Sequence, residues 1–266
     1  MKALFLDIDG VLQPKSSQKR FEHLEEIPAL CRQLNLDHPA GFDYAAFGSN
    51  SIAAKYDIAA VRFDWDLLSV ERLHHIMSTT GAVIILSSDW REKGLDSMRG
   101  LLDMHNLGKY LRDSTYYPYS YMEQGPADFT LRKKWQEDRN EMYNVWGLVQ
   151  HQLYDNLRRH YPTSSNDFWA VGVDFRTAEI REYLDRHPEI TSYVAIDDRS
   201  IGLGLDGHFV QTSNRITEED ACRCIELLNL NDGPFFLPND MQTPELEEWR
   251  SRFVFPDQRF IKELKG

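Results

Sequence analysis

The chain has 266 residues, 42% of them hydrophobic, with 42 Asp and Glu against 30 Lys and Arg for a formal net charge of -12. That size and apolar content suffice for one substantial α/β core with insertions or for two modest domains, while the acidic balance excludes a protein whose task is to coat long polyanions, which draws on clustered Lys and Arg. No run of 18 apolar residues and no signal-peptide-like apolar stretch occurs, so a soluble, cytoplasmic protein without a membrane partner is expected, and Cys31, Cys222 and Cys224, lacking a Cys-x-x-Cys spacing, indicate neither a disulfide framework nor a zinc site.

In chain order, Ala3-Leu4-Phe5-Leu6 opens as an unbroken apolar run that stops at Asp7. Residues 13–64 fit no repeating unit and read as an insertion. Leu67, Val70, Leu73 and Met77 follow helical spacing, with Gly81 as a C-terminal stop. A second apolar run, Ala82 to Leu86, ends at Ser87, and Leu95, Met98, Leu101 and Leu102 mark a helix ending near Gly108. Residues 118–166 form a second insertion. Within it Leu131, Trp135, Met142, Val145, Trp146, Val149, Leu153 and Leu157 recur at helical spacing, as one long helix or two abutting ones that need another apolar surface. Ile180, Tyr183 and Leu184 mark a helix stopping before Pro188, and Tyr193 to Ile196 form a third apolar run ending at Asp197. Thr217-Glu218-Glu219-Asp220 is a capping-box-like start to a helix carrying Ala221, Ile225 and Leu228 on one face. From residue 231 to 266, Pro234, Pro238, Pro244 and Pro256 imply a mostly irregular tail wrapping the core.

Unbroken rather than alternating apolar strands suit a parallel sheet covered on both faces. The expected fold is therefore a doubly wound α/β domain with a parallel sheet and mainly helical, cap-like insertions, the 118–166 segment lying over the site. In such sheets ligands bind outside the carboxyl ends of the strands, where Asp7, Ser87 and Asp197 would stand, with Asp9 and Asp198 beside them. Four carboxylates in one cleft repel each other unless a cation neutralises them. Mg2+ accepts hard oxygen ligands and completes its shell with a substrate phosphate, so phosphoryl transfer is the implied chemistry. Asp7 can attack phosphorus without a general base, giving an aspartyl-phosphate. Asp9 can protonate the leaving oxygen and then take a proton from water. Ser87 can donate to a phosphoryl oxygen, and a cationic side chain must balance the transferring charge.

These residues carry a resemblance. Phe5-Leu6-Asp7-Ile8-Asp9-Gly10 resembles motif I of the haloacid dehalogenase (HAD) superfamily, Ile84-Ile85-Leu86-Ser87-Ser88 resembles motif II, and Ala195-Ile196-Asp197-Asp198 resembles the acidic motif IV. Arg176, ahead of a helical segment, is the choice for the motif III cation, with Arg181 as the alternative. The combination Ser87-Ser88-Asp89-Trp90-Arg91, Arg176-x-x-Glu179-Ile180 and Tyr193 to Asp198 is similar to the HAD domains of Swiss Army Knife RNA repair proteins. The resemblance implies Mg2+ held by Asp7 and Asp197 through carboxylates, by Asp9 through its backbone carbonyl, and by Asp198 directly or through water.

The expected activity is hydrolysis of a phosphomonoester, with a small phosphorylated molecule as substrate. Alternatives are a phosphotransferase or a polynucleotide-end phosphatase in RNA repair, and a non-catalytic interaction module on the same fold. Trp90 and Arg91 stay outside the catalytic set, because a core Trp and an Arg paired with a nearby acid account for them equally well. Tyr116, Tyr117, Tyr119 and Tyr121 read as half-buried residues of an edge strand more readily than as a stacking surface for a base.

Overall fold

A computed structural model of the chain describes residues 1–38, 41–115, 129–161 and 174–252. Five parallel strands, β1 (Lys2–Leu6), β2 (Val83–Leu86), β3 (Leu111–Ser114), β4 (Ser192–Asp197) and β5 (Phe209–Gln211), form one sheet in the order β3-β2-β1-β4-β5. The described helices are α1 (Ile27–Asp37), α2 (Tyr44–Asn50), α3 (Ile52–Ala59), α4 (Leu67–Thr80), α5 (Leu95–Asp103), α6 (Phe129–His160), α7 (Phe175–Arg186), α8 (Glu218–Asn229) and α9 (Pro244–Arg252). None is long and apolar enough to cross a membrane.

Successive side chains of a strand point to opposite faces, and here both faces are buried. Leu4, Leu6, Ile84, Leu86, Val194 and Ile196 meet Leu73 and Ile76 of α4, Met98 and Leu101 of α5, and Leu227 and Leu228 of α8. Ala3, Phe5, Ile85, Tyr193 and Ala195 meet Ile180, Tyr183 and Leu184 of α7 on the other side. Double burial is the reason the strands read as continuous apolar runs, and it makes the fold the doubly wound α/β type. Phe5 sits at the centre of the second face, its ring edge-on to Tyr183 at 5.7 Å and to Tyr193 at 5.9 Å.

Helix ends follow local chemistry. Gly81 closes α4 in the left-handed conformation at φ 65°, where the absence of a Cβ removes the steric cost. Thr217 and Asp220 form a reciprocal capping box at the start of α8.

Between β1 and α4 lie α1, α2 and α3, and Ile27, Cys31, Tyr44 and Ile58 of these helices join the α4–α8 side of the core. Beyond α3, a π-turn over Ala60–Asp64 buries Asp64, which accepts hydrogen bonds from Ser17 Oγ at 3.1 Å and Arg20 Nε at 2.5 Å. α6 is a single helix of 32 residues. Its Val145, Trp146, Val149, Leu153 and Leu157 pack with Ala178 of α7 and with Leu237, Met241 and Leu246 of the C-terminal stretch. The side chains of Leu131, Trp135 and Met142, and the tyrosines at 116, 117, 119 and 121, lie outside the described residues.

The structure departs from the sequence reading in two places. β3 and β5 were not expected as strands, because Leu-Arg-Asp-Ser and Phe-Val-Gln are short edge segments without an apolar run. The C-terminal stretch is not mostly irregular within its described part: Thr243 accepts the Leu246 N–H on its hydroxyl and Pro244 occupies the first turn of α9, a position that needs no amide donor. Of the four prolines that suggested a tail, Pro244 marks a helix start and Pro238 precedes a short 3-10 turn over Asn239–Met241, while Pro256 lies outside the described residues.

Truncating Phe5 to Ala should lower unfolding free energy by about 3–5 kcal/mol, since it leaves a cavity between two tyrosines under a rigid sheet. Urea denaturation of the two proteins measures this.

Candidate active site

The parallel ladders run one residue past the strands. Asp7 N–H donates to Ile196 O at 3.1 Å, Ser87 N–H to Leu6 O at 2.8 Å, Thr115 N–H to Leu86 O at 2.9 Å, and Thr212 N–H to Asp197 O at 3.0 Å. The backbone therefore fixes Asp7, Ser87 and Asp197 side by side at the carboxyl edge. The strand order reverses between β1 and β4, so Asp7 and Asp197 flank the crevice where open α/β sheets bind ligands.

After Asp7 the chain turns at once. Leu12 and Gln13 N–H groups both donate to Ile8 O, and Gly10 N–H donates to Gln13 O at 2.6 Å. Gly10 holds φ 77°, and a Cβ there would collide with the Asp198 carboxylate. Thr212 Oγ1 donates to Gly10 O at 2.7 Å, tying the turn to the end of β5.

Oxygens of Asp7, Asp197 and Asp198 lie within 4.8 Å of one another. Arg176, at the start of α7, places Nη1 3.1 Å from Asp7 Oδ1 and 2.7 Å from Asp197 Oδ2, while Nη2 reaches the exposed Asp89 at 3.3 Å. Asp174 caps α7 by accepting the Arg176 N–H at 2.8 Å and pairs with Arg199, whose own N–H donates to Asp197 Oδ1 at 2.7 Å. Arg181, the alternative cation, is instead paired with Asp206 at 2.7 Å, and its Nη2 donates to Phe236 O. Arg176 is the one that the structure brings to Asp7.

Burial pushes the Asp7 carboxyl up to about 7, with Arg176 pulling it down and Asp197 pushing it further up. Asp197 is likewise raised by burial against Arg176, and Asp9 by burial against the Trp90 hydrogen bond. Burial lowers the Arg176 guanidinium's affinity for its proton, but Asp7 and Asp197 outweigh it and hold the group charged. The excess of buried negative charge is what a divalent cation would relieve, and three closely spaced carboxylates offer the hard oxygens that Mg2+ prefers.

Asp9 lies apart from this carboxylate group. Its Oδ1 accepts from Gln13 Nε2 at 2.8 Å and its Oδ2 from Trp90 Nε1 at 3.1 Å. Ser87 Oγ is buried without a hydrogen-bond partner among the described residues, so it is available to an incoming group. The neighbouring Ser88 hydroxyl hydrogen-bonds to Asp7.

Four residues were missed by the sequence reading: Ser88, Trp90, Gln13, and Lys15, which pairs with Asp198 while staying largely exposed. The run Ser87 to Arg91 was noticed as a pattern, but no local signal tells a donating indole from a packed one. Nothing in spacing marks Gln13 or Lys15.

Behind the site, Arg91 pairs with Glu179 of α7 at 2.8 Å, both nearly fully buried, and donates to Thr115 Oγ1 at 2.6 Å. Gln150 of α6 donates to the same Glu179 at 2.6 Å. The loop after β2, the helix bearing Arg176 and the long helix of the second insertion are thus joined through one carboxylate.

The model of the HAD domain in Swiss Army Knife RNA repair proteins matches residues 3–146 and 120–221, two segments that together cover most of the chain and overlap within the second insertion. No curated protein and no solved structure matches.

Because the folded Asp7 holds its proton to about pH 7 against an ordinary value of 3.8, metal-free protein should lose stability as pH rises between those values and carry the full penalty above them. In the presence of chelator, Asp7→Asn should therefore melt several degrees above wild type at pH 8, with the gap narrowing toward pH 5. Thermal melts at the two pH values test the sign. Gly10→Ala, which forces the turn against Asp198, should weaken Mg2+ binding at least tenfold in titration calorimetry.

Proposed function

Because the chain belongs to the family of HAD domains in Swiss Army Knife RNA repair proteins, we propose that it is a Mg2+-dependent phosphomonoester hydrolase working through an aspartyl-phosphate on Asp7. The observation that carries this reading is the gathering of Asp7, Asp197 and Asp198 within 4.8 Å with Arg176 bridging the first two. Asp7, Asp197 and Asp198 would hold the cation through carboxylates, with the Asp9 carbonyl as a further oxygen. Bound there, Mg2+ supplies positive charge to the carboxylates and to the transferring phosphoryl group.

In the first half-reaction, Asp7 Oδ forms a bond to phosphorus as the bond to the ester oxygen breaks, and that oxygen leaves with the electron pair and takes the proton of Asp9. In the second, the Asp9 carboxylate removes a proton from water as the water oxygen attacks phosphorus, releasing phosphate and regenerating both side chains. Arg176 balances charge on the phosphoryl oxygens, and the Ser87 hydroxyl, without a partner among the described residues, donates to one of them. The first half-reaction needs Asp9 protonated, and burial raises its affinity for that proton.

A second reading has the family description in its favour: the phosphate removed is the terminal phosphate of an RNA strand. The acidic overall charge does not oppose it, since an end needs only a local site. A non-catalytic module is less well supported, because both oxygens of Asp9 are held by donors in a position that binding alone would not require.

Asp7→Asn should abolish hydrolysis of p-nitrophenyl phosphate, and chelation of Mg2+ should do the same to wild type. Arg176→Ala should reduce kcat by about 100-fold or more, on the scale of removing one transition-state donor. Undiminished Mg2+-dependent turnover by Asp7→Asn would refute the reading. Turnover of a phosphorylated oligoribonucleotide well above that of small phosphates would favour the RNA end.

A further inference from the structure

Building on the reading of Asp9 as acid and base, we propose that Trp90 is a positioning residue that holds the Asp9 carboxylate through its indole N–H, braced from behind by the first insertion. Trp90 lies in the loop after β2, is 6% exposed, and donates Nε1 to Asp9 Oδ2 at 3.1 Å. Gln13 Nε2 donates to the other oxygen at 2.8 Å. A carboxylate on a short side chain rotates about its last bond. Two donors from different segments of the chain, one to each oxygen, fix its plane and leave the remaining lone pairs for a proton directed at the cleft.

The indole is itself held. Its ring packs at 5.9 Å against Trp65, which stacks on His105 at 5.6 Å. Lys93 Nζ stands 4.8 Å from the Trp90 ring centroid, and Lys93 is fixed in turn by Asp57 of α3 at 2.9 Å. A cation over the face of an indole is attracted to its π-density, and by drawing on that density it makes the N–H a stronger donor. Contacts thus run from α3 through Asp57, Lys93 and Trp90 to Asp9. A Trp present only to fill the core would need neither the aimed N–H nor the cation.

Positioning of a general acid matters in proportion to how much the leaving oxygen needs a proton. Trp90→Phe keeps a smaller aromatic ring at the position and removes the donor. Its kcat should fall about 10- to 100-fold on an alkyl phosphate, whose alkoxide is a poor leaving group, and by no more than about threefold on 2,4-dinitrophenyl phosphate. Gln13→Met, which removes the donor to the other oxygen without touching the aromatic cluster, should show the same leaving-group dependence. Equal losses on both substrates, or none on either, would mean that Trp90 only packs and would overturn the proposal.

A second readout does not depend on turnover. The indole N–H resonance that Trp90→Phe removes from the nitrogen-15 NMR spectrum should shift in Asp9→Asn, and an unmoved resonance would also overturn the proposal. If wild type hydrolyses no phosphate ester while that resonance does shift, the hydrolase reading fails and the indole contact stands.

Discussion

Two neighbouring parallel strands deliver buried carboxylates to the same point, and the guanidinium of Arg176 between Asp7 and Asp197 is what allows it. Burial and the charge of Asp197 hold Asp7 up to about 7 even with Arg176 beside it, and without the guanidinium both acids would be driven further toward the neutral form. A single guanidinium nitrogen, Nη1, meets both carboxylates, and the planar fork lets Nη2 reach Asp89 as well, a third contact that the one nitrogen of a lysine would not supply in this geometry. The rest of the site serves to keep this cation in place. Asp174 caps its helix, Arg199 links that cap to Asp197, and Glu179, one turn along α7, is held by Arg91 and Gln150. Breaking such a buried pair leaves an uncompensated charge, so these contacts bear more on geometry than on net stability.

The two insertions reach opposite sides of the carboxyl edge of the sheet. Residues of the first share the α4–α8 core and touch the loop after β2 through Asp57 and Lys93, on the side where Asp9 lies. The second sends α6 along α7, and Gln150 meets the carboxylate that anchors Arg91. Asp7 and Asp9, the proposed nucleophile and the proposed acid/base, are thus supported by separate elements. The carboxylate group with Arg176 depends on β1, β4 and α7, whereas the Asp9 carboxylate depends on the turn after β1 and the loop after β2.

Much of the frame was legible because burial writes itself into composition. β1, β2 and β4 read as unbroken apolar runs since each has both faces covered, and α4 and α8 announced themselves through a left-handed glycine stop and a capping box. β3 and β5 escaped notice because an edge strand has one neighbour and too few residues for a run. The C-terminal prolines misled for a related reason: Pro244 is compatible with either a loop or a first helical turn, and what decides is the apolar surface offered by α6, which takes up Leu246.

The sequence by itself determined β1, β2 and β4 and the polar residues that end them, Asp7, Ser87 and Asp197, and hence the kind of chemistry the edge can support, because these follow from local pattern. Only the tertiary structure decided which arginine meets Asp7, since Arg176 and Arg181 lie on one helix and differ in what their flanks face: one looks toward the carboxyl edge, the other toward Asp206 and the C-terminal stretch. It also decided that Trp90 and Gln13 grip Asp9. Whether a polar atom in a buried side chain finds a partner depends on residues brought close by folding, and Trp90 meets an acid 81 positions away in the chain, a distance no periodicity or spacing can register.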